Sequence, residues 1–193
     1  MTWPVPAGTE LFGRHVMLRA ADPRTDAAGL FSALDHDDVW RHVAGRPGSP
    51  DECRELLAAR SADPWWHPWV VLAGGRVVGM SSYLEVSPPD ARLEIGFTAY
   101  SPDVWGTEVN PECKLLLLGY AFDELGCGRV QLKTDVRNVR SQRAIDRLGT
   151  RHEGVLRRYQ RRADGTVRDT VLFSIVAEEW PAIRDGLVAR LSR

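Results

Sequence analysis

The order of elements legible in the chain predicts an α/β (α+β) domain built on one mixed sheet of about seven strands, with helices on both faces. Three observations carry this. Period-two apolar segments alternate with segments of helical period. Two pairs of strand-like segments flank the turn dipeptides Gly74-Gly75 and Asp164-Gly165. At 193 residues, with 44% hydrophobic and 26% charged residues, the chain has the length and composition of a single domain with a substantial core.

Taken in order, residues 1–10 read as an N-terminal extension, and 14–21 (RHVMLRAA) as the first strand. Residues 24–36 carry Ala27, Leu30, Phe31 and Leu34 at helical spacing. Ser49-Pro50-Asp51-Glu52 is a helix start, with a serine cap, proline in the first turn and acids on the positive end of the dipole; that helix is expected to reach about Ser61. Residues 69–73 and 76–86 form the first hairpin, and Pro88-Pro89-Asp90 breaks the chain. The strand 91–100 follows, with Leu93, Ile95 and Phe97 on one face and Glu94, Gly96 and Thr98 on the other. An apolar helix is expected over 111–125, capped by Asn110, with Pro111 in its first turn and Gly126 at its end. A strand over 129–135, a helix over 139–148, a hairpin of 153–162 with 166–177, and a helix over 178–191 complete the order.

Composition narrows the function. Net charge is −1, which excludes a wholly basic nucleic-acid coat and a wholly acidic tail. No run approaches the roughly 20 apolar residues of a membrane span. The start shows no basic, then apolar, export pattern. Cys53, Cys113 and Cys127 are too scattered for a disulfide framework, and no histidine joins them in a metal-binding cluster. The expectation is a cytoplasmic protein without metal or membrane partner. Charge is nevertheless uneven. Residues 129–168 hold twelve Lys/Arg against four acids, a local net charge of +8 that suits an anion; a solvated face would have the same composition.

Chemistry is expected at two strand-to-helix junctions. The first runs from strand 91–100 through a loop containing Gly106 into a helix N-terminus, where free N–H groups and the helix dipole favour a pyrophosphate. The second places Asn138 and Ser141 at the start of a helix that carries Arg140, Arg143 and Arg147 on one face; as caps, Asn138 and Ser141 would have no catalytic part. Pro64-Trp65-Trp66-His67-Pro68-Trp69 gathers three of the seven tryptophans. Its rings either line an acceptor cleft or cover the core.

The segment WGTEVNPECKLLLLGYAFDELGCGRVQLKTDVRNVRSQRAIDRLGTRHEGVLRR, with DGTVRDTVLFSI and EEWP further on, resembles the GNAT acyltransferases. The resemblance is to their branch of ribosomal-protein alanine N-acetyltransferases, and it extends from about Leu11 to about Leu191. It implies a mostly antiparallel sheet whose strands 91–100 and 129–135 splay apart to admit the acyl-donor arm. It implies an N-acyltransferase moving an acetyl or other short acyl group from acyl-CoA to a primary amine of a small molecule or peptide. A homodimer is a further implication.

Carried onto this chain, the resemblance assigns the pyrophosphate loop to the stretch from Asp103 to Glu108, with Trp105, Gly106, Thr107, Glu108, Val109 and Asn110 against the donor. Gly106 matches the family's Gln/Arg-x-x-Gly-x-Gly/Ala pattern. Asp103 and Glu108 depart from it, and a carboxylate about 4 Å from a phosphate charge would repel it by about 4 kcal/mol at an effective dielectric of about 20. Asn138 is assigned to the pantetheine arm, Ser141 to the leaving thiolate, and Arg143 and Arg147 to the phosphates. Phe97 and Thr98 supply backbone N–H groups to the oxyanion. Glu94 is the expected base, and Trp65, Trp66, Tyr83, Glu94 and Tyr159 the expected acceptor residues; Thr134 and Tyr120 are further possible lining groups. The altered loop and the +8 segment also leave open a donor carried on tRNA or a carrier protein, and a non-catalytic acyl-CoA-binding domain is the third reading.

Overall fold

The computed structural model describes residues 1–162 and 164–192. Eight strands form one sheet: β1 (Glu10–Phe12), β2 (Met17–Ala20), β3 (His67–Ala73), β4 (Arg76–Ser87), β5 (Arg92–Tyr100), β6 (Arg129–Asp135), β7 (Arg151–Arg161) and β8 (Val167–Val176). Their order across the sheet is β1-β2-β3-β4-β5-β6-β8-β7, and β5–β6 is the parallel pair among otherwise antiparallel neighbours. The helices are α1 (Pro23–Leu34), the short α2 (Asp37–Trp40), α3 (Pro50–Ala62), α4 (Val109–Gly119), α5 (Val139–Asp146) and α6 (Trp180–Leu191). A π turn at Tyr120–Glu124 prolongs α4.

Local chemistry explains most of these boundaries. Asp22 caps α1 by accepting from Arg24 N at 2.8 Å, with Pro23 in the first turn. Ser49 caps α3 by accepting from Glu52 N at 3.2 Å. Gly74 and Gly75 both have positive φ, which the two-residue β3–β4 turn requires. Two expectations are corrected. The sheet has eight strands rather than seven, because the expected N-terminal extension reaches Glu10 and enters β1. The extension is also tied down: Thr2 N donates to Leu125 O, and Val5 is buried. Asn110 does not cap α4, which begins at Val109, so Asn110 lies inside the first turn and Thr107 Oγ1 accepts from Val109 N at 3.3 Å.

Two apolar clusters sandwich the sheet. On one face α4, α5 and α6 pack over residues such as Trp69, Tyr83, Leu93 and Ile95. On the other, α1 and α3 pack over Val70, Met80 and Ala99. Glu112 on α4 is buried and accepts from the backbone N–H groups of Arg14, His15 and Val16 at 2.8, 2.6 and 2.8 Å. A Cβ on Gly13 would lie 2.5 Å from the Glu112 carboxyl carbon, so the β1–β2 turn closes on that carboxylate only with glycine there.

Two irregularities of β5 shape the centre of the sheet. Against β4, the register jumps from Met80↔Ala99 to Ser82↔Gly96, so Phe97 and Thr98 bulge opposite Ser81. Phe97 has φ +46° there, and the alternation expected from the sequence breaks: Phe97 packs on the α1–α3 face, away from Leu93 and Ile95. Against β6, pairing covers Arg92↔Arg129, Leu93↔Val130 and Glu94↔Gln131 and then stops. Beyond Glu94 the two strands part, as the resemblance implied.

Candidate active site

The parting of β5 and β6 opens into a cleft of about 1150 Å³. At one end, Trp105, Gly106 and Thr107 precede α4, and Gly106 has φ +79° with open space where a Cβ would lie. Arg140 stacks on the Trp105 ring, its Cζ 3.7 Å from the ring centroid, which holds the start of α5 against this loop. Asn110, Asn138, Ser141 and Arg147 also line the cleft. Asn138 is a helix cap, its Oδ1 accepting from Ser141 N at 3.1 Å, which leaves its amide NH₂ for other partners.

Glu94 lies where the strands separate. It is buried, and its Oε2 is 2.8 Å from Lys133 Nζ on β6. Burial raises the Glu94 pKa, and Lys133 opposes that shift without cancelling it. For Lys133, burial works against the charge, but Glu94 and Glu85 outweigh it and the ammonium is held protonated. A Cβ on Gly96 would sit 2.5 Å from Glu94 Oε1, so the carboxylate folds over a bare backbone position. Lys133 also donates to Glu85 Oε1 at 2.6 Å and to Tyr159 Oη at 2.7 Å. Beyond this network Trp65, Trp66 and Phe97 form an aromatic wall, with the Trp66 and Phe97 rings edge to face 5.8 Å apart and Arg60 4.0 Å over Trp66.

The structure thus gathers Glu94, Phe97, Thr98, Trp105, Gly106, Thr107, Asn110, Asn138, Ser141, Arg147, Trp65, Trp66 and Tyr159 around one cleft. Four expected residues are elsewhere. Tyr83 is fully buried and donates its hydroxyl proton to Leu117 O at 2.6 Å, because its strand position faces the core beneath α4. Val109 is buried in the same core. Glu108 is exposed immediately before α4 and lies outside the cleft lining. Arg143 is exposed on α5 and lies outside the cleft lining, although Arg140 on the same helix and Arg147 at its end belong to it. Asp103, the other departure in the loop, is exposed beside Arg76 at 3.4 Å.

Sequence reasoning passed over Lys114, Lys133 and Arg168, which all line the cleft. A signal existed for the first two. They are the chain's only lysines, one set among apolar helix residues and one on a strand between buried positions. Among the described residues no group of three His, Cys, Asp or Glu side chains could hold a metal ion, and no helix is long and apolar enough to cross a membrane.

Residues 15–151 match the family described as the acetyltransferase (GNAT) domain. The chain belongs to the GNAT family of N-acetyltransferases. It is similar to FsC-acetyl coenzyme A-N(2)-transacetylase of Aspergillus fumigatus, 31% identical over 161 residues that span 76% of this chain and 68% of that one. It is also similar to YdaF of Bacillus subtilis, provisionally named a ribosomal N-acetyltransferase, at 26% identity over 86% of this chain and 93% of that one. Among solved structures, a GCN5-related N-acetyltransferase from Brucella melitensis superposes with a TM-score of 0.90 at 27% identity, over 97% of this chain and 87% of the other. The ribosomal-protein branch named from the sequence accords with these GNAT relatives, and the splayed eight-stranded sheet is the GNAT fold.

Proposed function

We propose that this GNAT protein transfers an acetyl or other short acyl group from acyl-CoA to a primary amine of a small molecule or peptide. The observation that carries the reading is a single cleft running through the parted strands, with a glycine loop and helix start at one end and a buried carboxylate at the other. The loop around Gly106 and the cations Arg140 and Arg147 suit the phosphates of the donor. β5 and β6 beyond Glu94 have backbone groups that do not pair with one another, and these suit an amide-bearing arm laid between them.

The donor supplies a thioester carbonyl open to attack by an amine. Glu94 takes the proton that the amine loses as its nitrogen bonds to the carbonyl carbon. Phe97 and Thr98, at the bulge, offer backbone N–H groups to the oxyanion. Ser141 gives a proton to the sulfur as the carbon–sulfur bond breaks, and recovers one from solvent. The aromatic wall of Trp65 and Trp66, with Tyr159, receives the acceptor. Asp103 beside Arg76 at 3.4 Å and the exposure of Glu108 support a loop able to take the donor's pyrophosphate, and so favour acyl-CoA over a tRNA or carrier-protein donor.

Calorimetry with coenzyme A and acetyl-CoA, followed by acetyl-CoA turnover over a broad amine panel, tests the reading. Binding of both with turnover of at least one amine is expected; absence of binding at millimolar ligand overturns it. Replacing Ser141 by alanine is expected to slow transfer by about tenfold or more while donor affinity changes little, and an unaltered rate removes Ser141 from the mechanism.

A further inference from the structure

Lys114 has no part in the reaction above, yet it lies in the cleft wall. It is 4% exposed, on a helix whose neighbouring positions are Cys113 and the run Leu115 to Leu118. Its Nζ donates to Thr98 Oγ1 at 2.8 Å and to Ser81 Oγ at 3.2 Å, and those two hydroxyls are 2.7 Å apart. An ammonium has three protons to donate, and two neutral hydroxyls leave it short of both a partner and a counter-charge. Among the described residues no carboxylate lies within ion-pairing distance of it; Glu94 acts on it only through space and is itself paired with Lys133. Burial lowers its pKa to about 8, so at pH 7 it remains mostly charged. A buried cation without an anion is costly to keep, and a ligand that brings the anion recovers that cost.

Its place says which ligand can do so. Thr98 and Ser81 face each other at the β5 bulge, where the oxyanion donors lie, and Lys114 approaches them from α4, the helix that follows the Gly106 loop. The aromatic acceptor wall packs on the opposite, α1–α3 side, as the position of Phe97 marks. A group that meets Lys114 is therefore attached to the donor, on the acyl chain beyond its carbonyl.

We propose that the acyl group carried by the donor ends in a carboxylate, as in malonyl- or succinyl-thioesters, and that Lys114, with Thr98 and Ser81, receives that carboxylate. This rests on the acyl-CoA reading of the cleft. The chemistry of transfer is unchanged by it: the amine displaces the thiol at the thioester carbon, and the distal carboxylate stays intact as the anchor. Lys114 is then the residue that sets acyl-group specificity.

Calorimetry at pH 7 with coenzyme A, butyryl-CoA and succinyl-CoA tests this without knowledge of the acceptor. Butyryl and succinyl have the same chain length and differ in the terminal carboxylate. The wild-type protein is expected to bind succinyl-CoA at least about tenfold more tightly than butyryl-CoA, the scale of a hydrogen bond to a charged group. Lys114→Met is expected to erase that preference while coenzyme A affinity stays within about twofold. Coenzyme A binding with butyryl-CoA equal to or tighter than succinyl-CoA in the wild-type protein overturns the proposal and leaves the acyl-CoA reading standing; this outcome needs no variant, so it stands even if Lys114→Met fails to fold. Failure of coenzyme A itself to bind overturns the donor assignment, and this proposal with it.

Discussion

Glu94 owes its position to its neighbours more than to its own strand. Alternation put it opposite Leu93, on a face read from the sequence as open to a substrate, and it does line the cleft. What alternation could not show is the ammonium 2.8 Å away on the next strand, or the bare Gly96 over which the carboxylate lies. Both depend on register between strands whose order is not written in either segment. Burial at this position gives the proposed base a raised pKa, which Lys133 opposes without cancelling, and so shifts its titration upward from the ordinary carboxylate range. The deprotonated form is the active one, so the wild-type rate should fall, as pH is lowered, at a higher pH than an ordinary carboxylate would give. Glu94→Gln should cut the rate by about 100-fold or more and flatten that acid limb. A pH–rate profile of wild type and variant decides the matter; an unchanged limb assigns it to another group.

At the scale of elements, the sequence was most informative where capping and turn chemistry are local. Ser49, Asp22 and the Gly74-Gly75 turn act as their residue types require. It was least informative at α4 and β5. The helix starts one residue before Asn110, because a threonine hydroxyl serves Val109 N and the chain is already helical by then. Tyr83, expected to touch the acceptor, falls beneath α4, since strand periodicity cannot tell the cleft face from the core face. The bulge at Phe97 and Thr98 left no mark in the residue pattern at all. α4 also holds the molecule's edge. Glu112 gathers three backbone N–H groups of the β1–β2 turn, and Glu112→Ala would strand them. The expected loss is about 3 kcal/mol, or a Tm lower by roughly 6–12 °C. A Tm within 2 °C of wild type, measured by calorimetry or circular dichroism, would show that water replaces the carboxylate at no cost.

For the whole molecule, the excess of cations over 129–168 proves to be partly internal. Arg129 pairs with Glu153, Lys133 with Glu85 and Glu94, and Arg162 with the buried Asp135. Arg140, Arg147 and Arg168 reach the cleft. Net charge per segment thus pointed to a stretch that borders the cleft, but it could not separate cations that hold the sheet from cations that line it. The packing around His67 predicts a sensitivity to acid. His67 is wedged against Trp3 and Trp69, its buried Nε2 has no hydrogen-bond partner among the described residues, and burial lowers its pKa from 6.5 to about 4. The folded form therefore binds the proton less readily than the unfolded chain. Stability due to this histidine is complete above pH 6.5 and is lost as pH falls towards 4. Urea unfolding measured between pH 7.5 and 4.5 should show that decline, and His67→Phe should make the curve shallower; parallel curves would place the acid sensitivity elsewhere.

The three residue pairs joining β5 to β6 have a mechanical meaning. They are a narrow seam between a five-stranded portion and a three-stranded portion of the same sheet, and an arm lying between the strands would act as a stitch across it. The amides bordering the gap should therefore exchange with deuterium more slowly when coenzyme A is present, and those at the far rims, in β1 and β7, should not. The donor would then be a temporary strand of the fold as well as a reactant, and the rate at which the seam loosens would set how quickly spent coenzyme A can leave.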